Sequence, residues 1–163
     1  FVSECGTIME SLLNMADSLD KNDSLQRAIF TVYENVVEIV KGDFTTYAPR
    51  IVERALYAVN VTVDCRVVDE NEMNEQKNNK RVFVLKTGSE FEGAKNIMLN
   101  TDSLHLKLEG ARLLRALVEH MGTAFCPYVS KTLPTVAYNI TFGKSKDYRI
   151  EMIATVKFLV LAC

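Results

Sequence analysis

Apolar residues recur at helical spacing along most of the chain, and the pattern repeats. After Phe44 and Tyr47, pairs of apolar residues follow at steps of three and four positions from Ile51 onward. The N-terminus repeats the pattern 43 positions earlier, from Phe1, and a third copy begins 81 positions after the second, at Phe125. A 43-residue period lies within the ~40–47 residues of two-helix HEAT or armadillo repeats. The pattern therefore predicts an all-α chain, an α-solenoid of HEAT-type helical hairpins.

The same periodicity places the individual elements. The predicted helices are at about 5–19, 24–41, 46–61, 103–121, 127–142 and 147–161. Asn22 or Asp23 can cap the second helix, and Gly42 and Gly122 are expected to close the second and fourth in the left-handed conformation. The expected buried face of the second helix comprises Leu25, Ala28, Ile29, Val32, Val36 and Val40. That of the last helix comprises Ile153, Val156 and Val160.

The periodicity stops between the third and fourth helices, which predicts an insertion at 64–102. Acidic and amide residues dominate 64–80, so this part is expected to be a mobile acidic loop. The run 81–86 is strand-like, and a return strand at 94–99 would complete a small β-hairpin. We expect residues 1–163 to form a single HEAT-repeat solenoid fragment. An apolar helix pattern without a capping residue at the C-terminus suggests a cut through a longer protein.

Composition excludes several classes of function. The net charge is −2 at pH 7, so the chain has no broad basic field for sequence-independent binding of nucleic acid. Apolar runs stay below the ~18 residues of a membrane-spanning helix, so no membrane association is expected. The 4 cysteines are scattered and form no CxxC pair, which favours reduced intracellular thiols.

The sequence motifs of catalysis and of metal binding are not found. Residues 88–95 resemble a phosphate-binding loop, but Ala94 separates the glycine from the lysine. His105 and His120 lie on one predicted helix without the spacing of metal ligands. The sequence thus predicts no enzymatic activity, no cofactor and no metal. A small helical enzyme would need a pocket that joins His120 to an acid of the insertion.

Polar residues at the 43-residue spacing suggest a binding surface. Stacked repeats would align the outward faces of the first, third and fifth helices, and solenoids use such faces for binding. The candidate cargo-contact residues are Glu10, Asn14, Asp17, Glu53, Tyr57, Asn60 and Tyr138. The alternative is that these residues are only the solvent-facing side of amphipathic helices. Tyrosine at two of the positions favours binding, because tyrosine is enriched at interfaces.

The segment Val37–Pro49 resembles the helix-turn-helix junctions of importin beta-3 type karyopherins. The features that follow it are also similar in order: an acidic stretch, the strand-like run Arg81–Leu85, and Leu108–Ala111 at the start of a new repeat. The residues from Gly122 to Pro134 resemble the next junction. The resemblance covers most of the chain.

The resemblance implies a middle segment of a nuclear import receptor, a HEAT-repeat protein that moves between cytoplasm and nucleus. Such a receptor binds protein cargo with a basic signal and releases it to the GTP-bound Ran GTPase. Ran contacts would belong to the full-length receptor, nucleoporins are further candidate partners, and a monomer is expected. The alternative is a HEAT-repeat scaffold subunit of a phosphatase or translation complex.

Overall fold

The computed structural model describes residues 2–21, 23–68, 71, 82–87 and 95–162. Its α-helices are α1 (Val2–Ser18), α2 (Leu25–Val40), α3 (Ala48–Asn60), α4 (Thr101–Met121), α5 (Cys126–Asn139) and α6 (Lys146–Ala162). Short 3-10 helices at Lys41–Thr46 and Gly122–Phe125 precede α3 and α5. The strands are β1 (Cys65–Val68), β2 (Val82–Thr87) and β3 (Lys95–Asn100). The chain divides into two compact units, Phe1–Asn60 with Leu106–Cys163, and Val61–His105.

The repeated aromatic pattern of the sequence marks the two junctions of the first unit. Phe44 and Phe125 lie in the two 3-10 helices, and both side chains are fully buried. The ring centroid of Phe44 is 5.8 Å from that of Tyr47, and the Phe125 and Tyr128 centroids are 5.4 Å apart. Aromatic pairs at these distances stabilise a contact beyond their buried area. Each pair thus fixes the turn between two helices.

The buried face of α2 differs from the expected one. Leu25, Ala28 and Val32 are exposed, so their predicted burial is wrong, while Ile29 is buried as predicted. The buried residues are Gln26, Ile29, Phe30, Tyr33 and Val37. Phe30 and Tyr33 carry more apolar surface than the aliphatic residues they displace, so the helix turns these rings inward.

The buried face of α6 also differs from the expected one. Ile153 and Val160 are exposed, and the buried residues are Tyr148, Met152, Thr155, Leu159 and Ala162. Tyr148 explains this rotation, because its hydroxyl donates a hydrogen bond of 3.2 Å to the Val59 carbonyl at the end of α3. A buried hydroxyl needs such a partner. In α1, Met9 and Leu13 are buried and Ile8 is exposed.

The two junctions differ in the residue that adopts positive φ. Gly122 has φ +54°, as predicted. At the first junction the prediction of Gly42 is wrong, because Lys41 has φ 54° instead. The 3-10 helix begins at Lys41, so the bend falls on its first residue.

Before α2, Asp23 accepts a hydrogen bond of 2.8 Å from the Leu25 amide, whereas Asn22 lies outside the described residues.

The second unit contains a three-stranded antiparallel sheet with the order β1-β3-β2. The predicted hairpin is confirmed as β2 and β3, with Leu85 paired to Ile97. The predicted loop is wrong for Cys65–Val68, which forms β1 and pairs with β3. Consecutive β-branched residues in this segment favour a strand. Residues 69–70, 72–81 and 88–94, including most of the predicted acidic loop and of the phosphate-loop-like segment, lie outside the described residues.

α3 and α4 approach each other closely at Gly110. A Cβ at this position would lie 2.5 Å from the Ala58 Cβ and 3.2 Å from the Val59 nitrogen. Lys107 strengthens the same contact, since its ammonium donates to the Val59 carbonyl and lies 5.0 Å from the ring centroid of Tyr148. Glycine is therefore required where the two helix backbones meet.

None of the helices within the described residues is long and apolar enough to cross a membrane.

Replacing Gly110 with alanine should destabilise the protein. The added methyl overlaps Ala58, and overpacking of this kind outweighs the better helix propensity of alanine, for a net loss of roughly 2 kcal/mol in the free energy of unfolding. Denaturant unfolding measures the change. The matched control is Gly42→Ala, whose Cβ would meet no atom within 4 Å. Equal stability of the two variants would contradict the close α3–α4 contact.

Candidate functional site

A cavity of about 810 Å³ opens on the first unit, beside the polar faces of α1, α3 and α5. Its volume lies in the range of ligand-binding clefts, ~300–1,000 Å³. We call this cavity the groove. Its polar lining consists of Asp17, Lys21, Gln26, Arg50, Glu53, Arg54, Asn60, Lys131 and Thr135. Its apolar lining consists of Ala16, Leu19, Phe30, Pro49, Leu56 and Tyr57.

Asp17 connects α1 to α3 across the groove. Both Arg50 and Arg54 donate hydrogen bonds to its carboxylate. The hydrogen bond from Arg50 is the largest cause that holds the pKa of the Asp17 carboxyl below its usual value, and Arg54 adds to it. Glu10 lies about two turns before Asp17 on the same face of α1, with its carboxylate 3.5 Å from the Arg50 guanidinium. These acids are therefore paired with arginines of the same protein.

Two side-chain contacts connect α3 to α5. The Lys131 ammonium pairs with the Glu53 carboxylate. Asn139 donates a hydrogen bond of 3.2 Å from Nδ2 to the Asn60 Oδ1, and another of 2.9 Å to the Thr135 carbonyl. α3 is thus joined through polar side chains to the helix on either side of it.

An aromatic contact adds to the polar groups of the groove. The Lys21 ammonium lies 4.9 Å from the centroid of the Tyr57 ring, within the range of a cation–π interaction. Tyr57 remains 39% exposed, so part of its ring stays open to a ligand.

The structure brings together four of the seven residues proposed from the sequence. Asp17, Glu53, Tyr57 and Asn60 line the groove, and Glu10 contacts it through Arg50. Asn14 and Tyr138 are exposed but are not part of the lining. Sequence reasoning missed the cations Lys21, Arg50, Arg54 and Lys131. Arg50 and Arg54 could have been found, because they lie four residues apart on one face of the helix and Arg50 lies three residues before Glu53.

The groove contains more positive than negative charge. Its lining has four basic residues and two acidic ones, an excess of two positive charges. Adding Glu10, which contacts Arg50, leaves an excess of one. The acids expected to receive a basic signal are therefore balanced from within the chain.

A second charged cluster lies among α2, α4 and α6. Its members are Glu34, Glu109, Arg112, Arg115, Glu119 and Glu151. Arg115 pairs with Glu151 at 2.7 Å and with Glu119 at 2.5 Å. The Glu34 Oε1 is buried and has no hydrogen-bond partner among the described residues. Burial raises the pKa of Glu34 to about 7, and the nearby Glu109 adds to this rise.

The described part of the chain contains no group of three His, Cys, Asp or Glu side chains that could hold a metal ion. His120 is half-buried in the last turn of α4 and does not line the groove. Cys65 and Cys126 carry exposed thiols. The groove itself is lined by ion pairs and amides, an arrangement that suits non-covalent binding.

Comparison with known proteins identifies the fold. No protein-family profile matches the chain, and no curated protein sequence matches it. Among solved structures, Kap121p bound to Pho4p matches with a TM-score of 0.80 at 18% identity, over 99% of this chain and 15% of that one. Kap121p bound to Nup53p and Kap121p bound to RanGTP each match with a TM-score of 0.79 at the same identity and coverage. The chain has a karyopherin-like fold.

The likeness confirms the predicted class, a helical solenoid of the karyopherin kind. The matching structures are those of the karyopherin Kap121p, among them its complexes with Pho4p, Nup53p and RanGTP. The chain spans about 15% of their length. Assignment to the importin beta-3 type stays a prediction from the sequence.

The half-buried Glu34, whose Oε1 is buried, makes stability depend on pH. Its pKa is raised from 4.5 to about 7 in the fold, so the folded protein binds more protons than the unfolded one between these values. The resulting stabilisation is fully present below pH 4.5 and is lost as the pH rises through about 7. Glu34→Gln should remove this dependence, seen as a flatter plot of unfolding free energy against pH. Glu38→Gln, on the exposed side of α2, is the control, and identical plots for Glu34→Gln and wild type would contradict the raised pKa of Glu34.

Proposed function

We propose that this chain is a segment of a nuclear transport receptor that binds protein ligands and catalyses no reaction. The observation that carries the proposal is the likeness over 99% of the chain to Kap121p, which is described in complexes with Pho4p, Nup53p and RanGTP. The groove supports it, since a cavity lined by ion pairs, amides and an open tyrosine suits recognition of a polypeptide. In the full-length protein the partners would include Ran GTPase and nucleoporins, and the protein would move between cytoplasm and nucleus.

The face formed by α1, α3 and α5 is the proposed contact surface for cargo. It carries the residues selected from the sequence, which are Glu10, Asn14, Asp17, Glu53, Tyr57, Asn60 and Tyr138. Recognition of a basic signal stays a prediction from the sequence. The ion pairs of Asp17 and Glu53 would weaken the binding of such a signal, because a lysine of the cargo would have to displace Arg50, Arg54 or Lys131 from these carboxylates.

Binding on this face would act on the helical array itself. Asp17 and Glu53 pair across neighbouring helices, so a ligand that competes for either partner also alters how those helices are joined. A ligand shifts a conformational equilibrium only by its difference in affinity for the two states. Cargo and Ran would then oppose each other if they favour different curvatures of the receptor.

A pull-down of the full-length protein with Ran tests the proposal. We expect Ran loaded with GTP to be retained, and Ran loaded with GDP, the matched control, to be recovered at background level. Added GTP-bound Ran should also release a bound protein ligand. Retention of neither form would contradict the proposal and would favour a HEAT-repeat scaffold subunit of a phosphatase or translation complex.

A further inference from the structure

The pairing of Asp17 leaves positive charge within the groove. One carboxylate carries a single negative charge, yet both Arg50 and Arg54 donate to it. The other nearby acid, Glu10, is 3.5 Å from Arg50 and exposed to solvent, which screens its interaction. Arginine has five donors, so Arg50, whose side chain is 40% exposed, can bind an additional carboxylate while it keeps Asp17. Arg54 also donates to the Gln26 Oε1 and is only 16% exposed, so it adds positive charge behind Arg50.

Lys21 adds a second positive position. The Tyr57 ring attracts the Lys21 ammonium through its quadrupole, but the ring has no net charge and does not neutralise the lysine. Lys21 is exposed, as is Lys131 on α5. A ligand in the groove therefore lies between an arginine pair and two solvent-accessible lysines.

Apolar surface accompanies these cations. Phe30 and Leu56 contribute to the lining although both are almost completely buried. Pro49 and Tyr57 also line the groove and remain exposed. The groove can thus cover an apolar side chain of a ligand while its cations bind polar groups beside it.

We propose that the groove binds an acidic segment of a partner protein, in which aspartate or glutamate residues flank an apolar side chain. The carboxylates would bind Arg50 and Lys21, and the apolar side chain would contact Pro49 and Tyr57. This deepens the proposed function by naming the charge of the bound segment, and it rests on that function only in taking the partner to be a protein. Charge complementarity carries the choice, because the lining has four cations and two acids, and an excess of one positive charge remains when Glu10 is included.

The charges of the groove disfavour a basic segment. To reach Asp17 or Glu53 it would have to displace cations that are held on the same chain. The displaced Arg50, Arg54 and Lys131 would then lie close to the like charges of the ligand. Like charges brought together in this way select against the wrong partner.

Peptide binding to the full chain tests the inference by fluorescence anisotropy. The probe is a short, end-blocked, labelled peptide with several glutamates around two phenylalanines. Its matched counterparts carry glutamine or lysine in place of glutamate. At low salt we expect the acidic peptide to bind about tenfold tighter than either counterpart, a difference of about 1.4 kcal/mol. Its affinity should fall as salt is added, because exposed charges are screened.

Two charge reversals locate the binding. Lys21→Glu should weaken the acidic peptide about tenfold, since it removes one attraction and adds one repulsion. Lys157→Glu is the control, because Lys157 is exposed, lies 5.3 Å from the Phe158 ring centroid and does not line the groove. It should change the affinity by less than about twofold, as the same net charge change at a distance is screened. If Lys21→Glu unfolds, as judged by circular dichroism, Lys21→Gln replaces it, with an expected loss of about threefold.

Each other outcome overturns the inference. Tighter binding of the lysine peptide, equal losses in the two charge reversals, or no binding of the acidic peptide would do so. Binding of an oligonucleotide in place of the acidic peptide would overturn the assignment to a protein segment. A positive Ran pull-down with a failed peptide assay would overturn this inference alone, and the reverse result would overturn the proposed function alone.

Discussion

The close contact between α3 and α4 at Gly110 is the constraint on which the groove depends. Because the Ala58 methyl leaves no room for a Cβ at Gly110, the two backbones meet there and α3 has its rotation fixed. Lys107 and Tyr148 hold the end of the same helix through the Val59 carbonyl. With its apolar face directed inward, α3 presents Arg50, Glu53, Arg54, Tyr57 and Asn60 to the groove.

The contacts across the groove determine its charge more than its stability. Exposed ion pairs of the kind formed by Lys131 with Glu53 contribute at most about 1 kcal/mol each. Their effect on recognition is larger, since they occupy the carboxylates on which a basic ligand would depend. Two arginines pair with Asp17 and one lysine pairs with Glu53. This distribution neutralises both acids and leaves positive charge in the groove.

Sequence patterns were informative where one physical effect dominates. The repeated aromatics predicted the junctions, because Phe44 and Phe125 are the residues whose burial fixes each turn. The buried faces of α2 and α6 were missed, since helices with apolar residues on several sides can turn either way and Tyr33 and Tyr148 decide between them. The polar face of α3 was predicted from its spacing. The neutralisation of the acids on this face could not be predicted from the sequence, because the pairing of Glu53 with Lys131 depends on how α5 stacks on α3.

A double-mutant cycle between Glu53 and Lys131 is the most direct test of this arrangement. The unfolding free energies of Glu53→Gln, Lys131→Gln and the double variant give the coupling of the two side chains independently of their other contacts. The account predicts a coupling of about 0.5 kcal/mol at low salt that falls in high salt. A coupling of zero at low salt would mean that the Glu53–Lys131 ion pair does not join α3 to α5, and would contradict the neutralisation of Glu53 by Lys131.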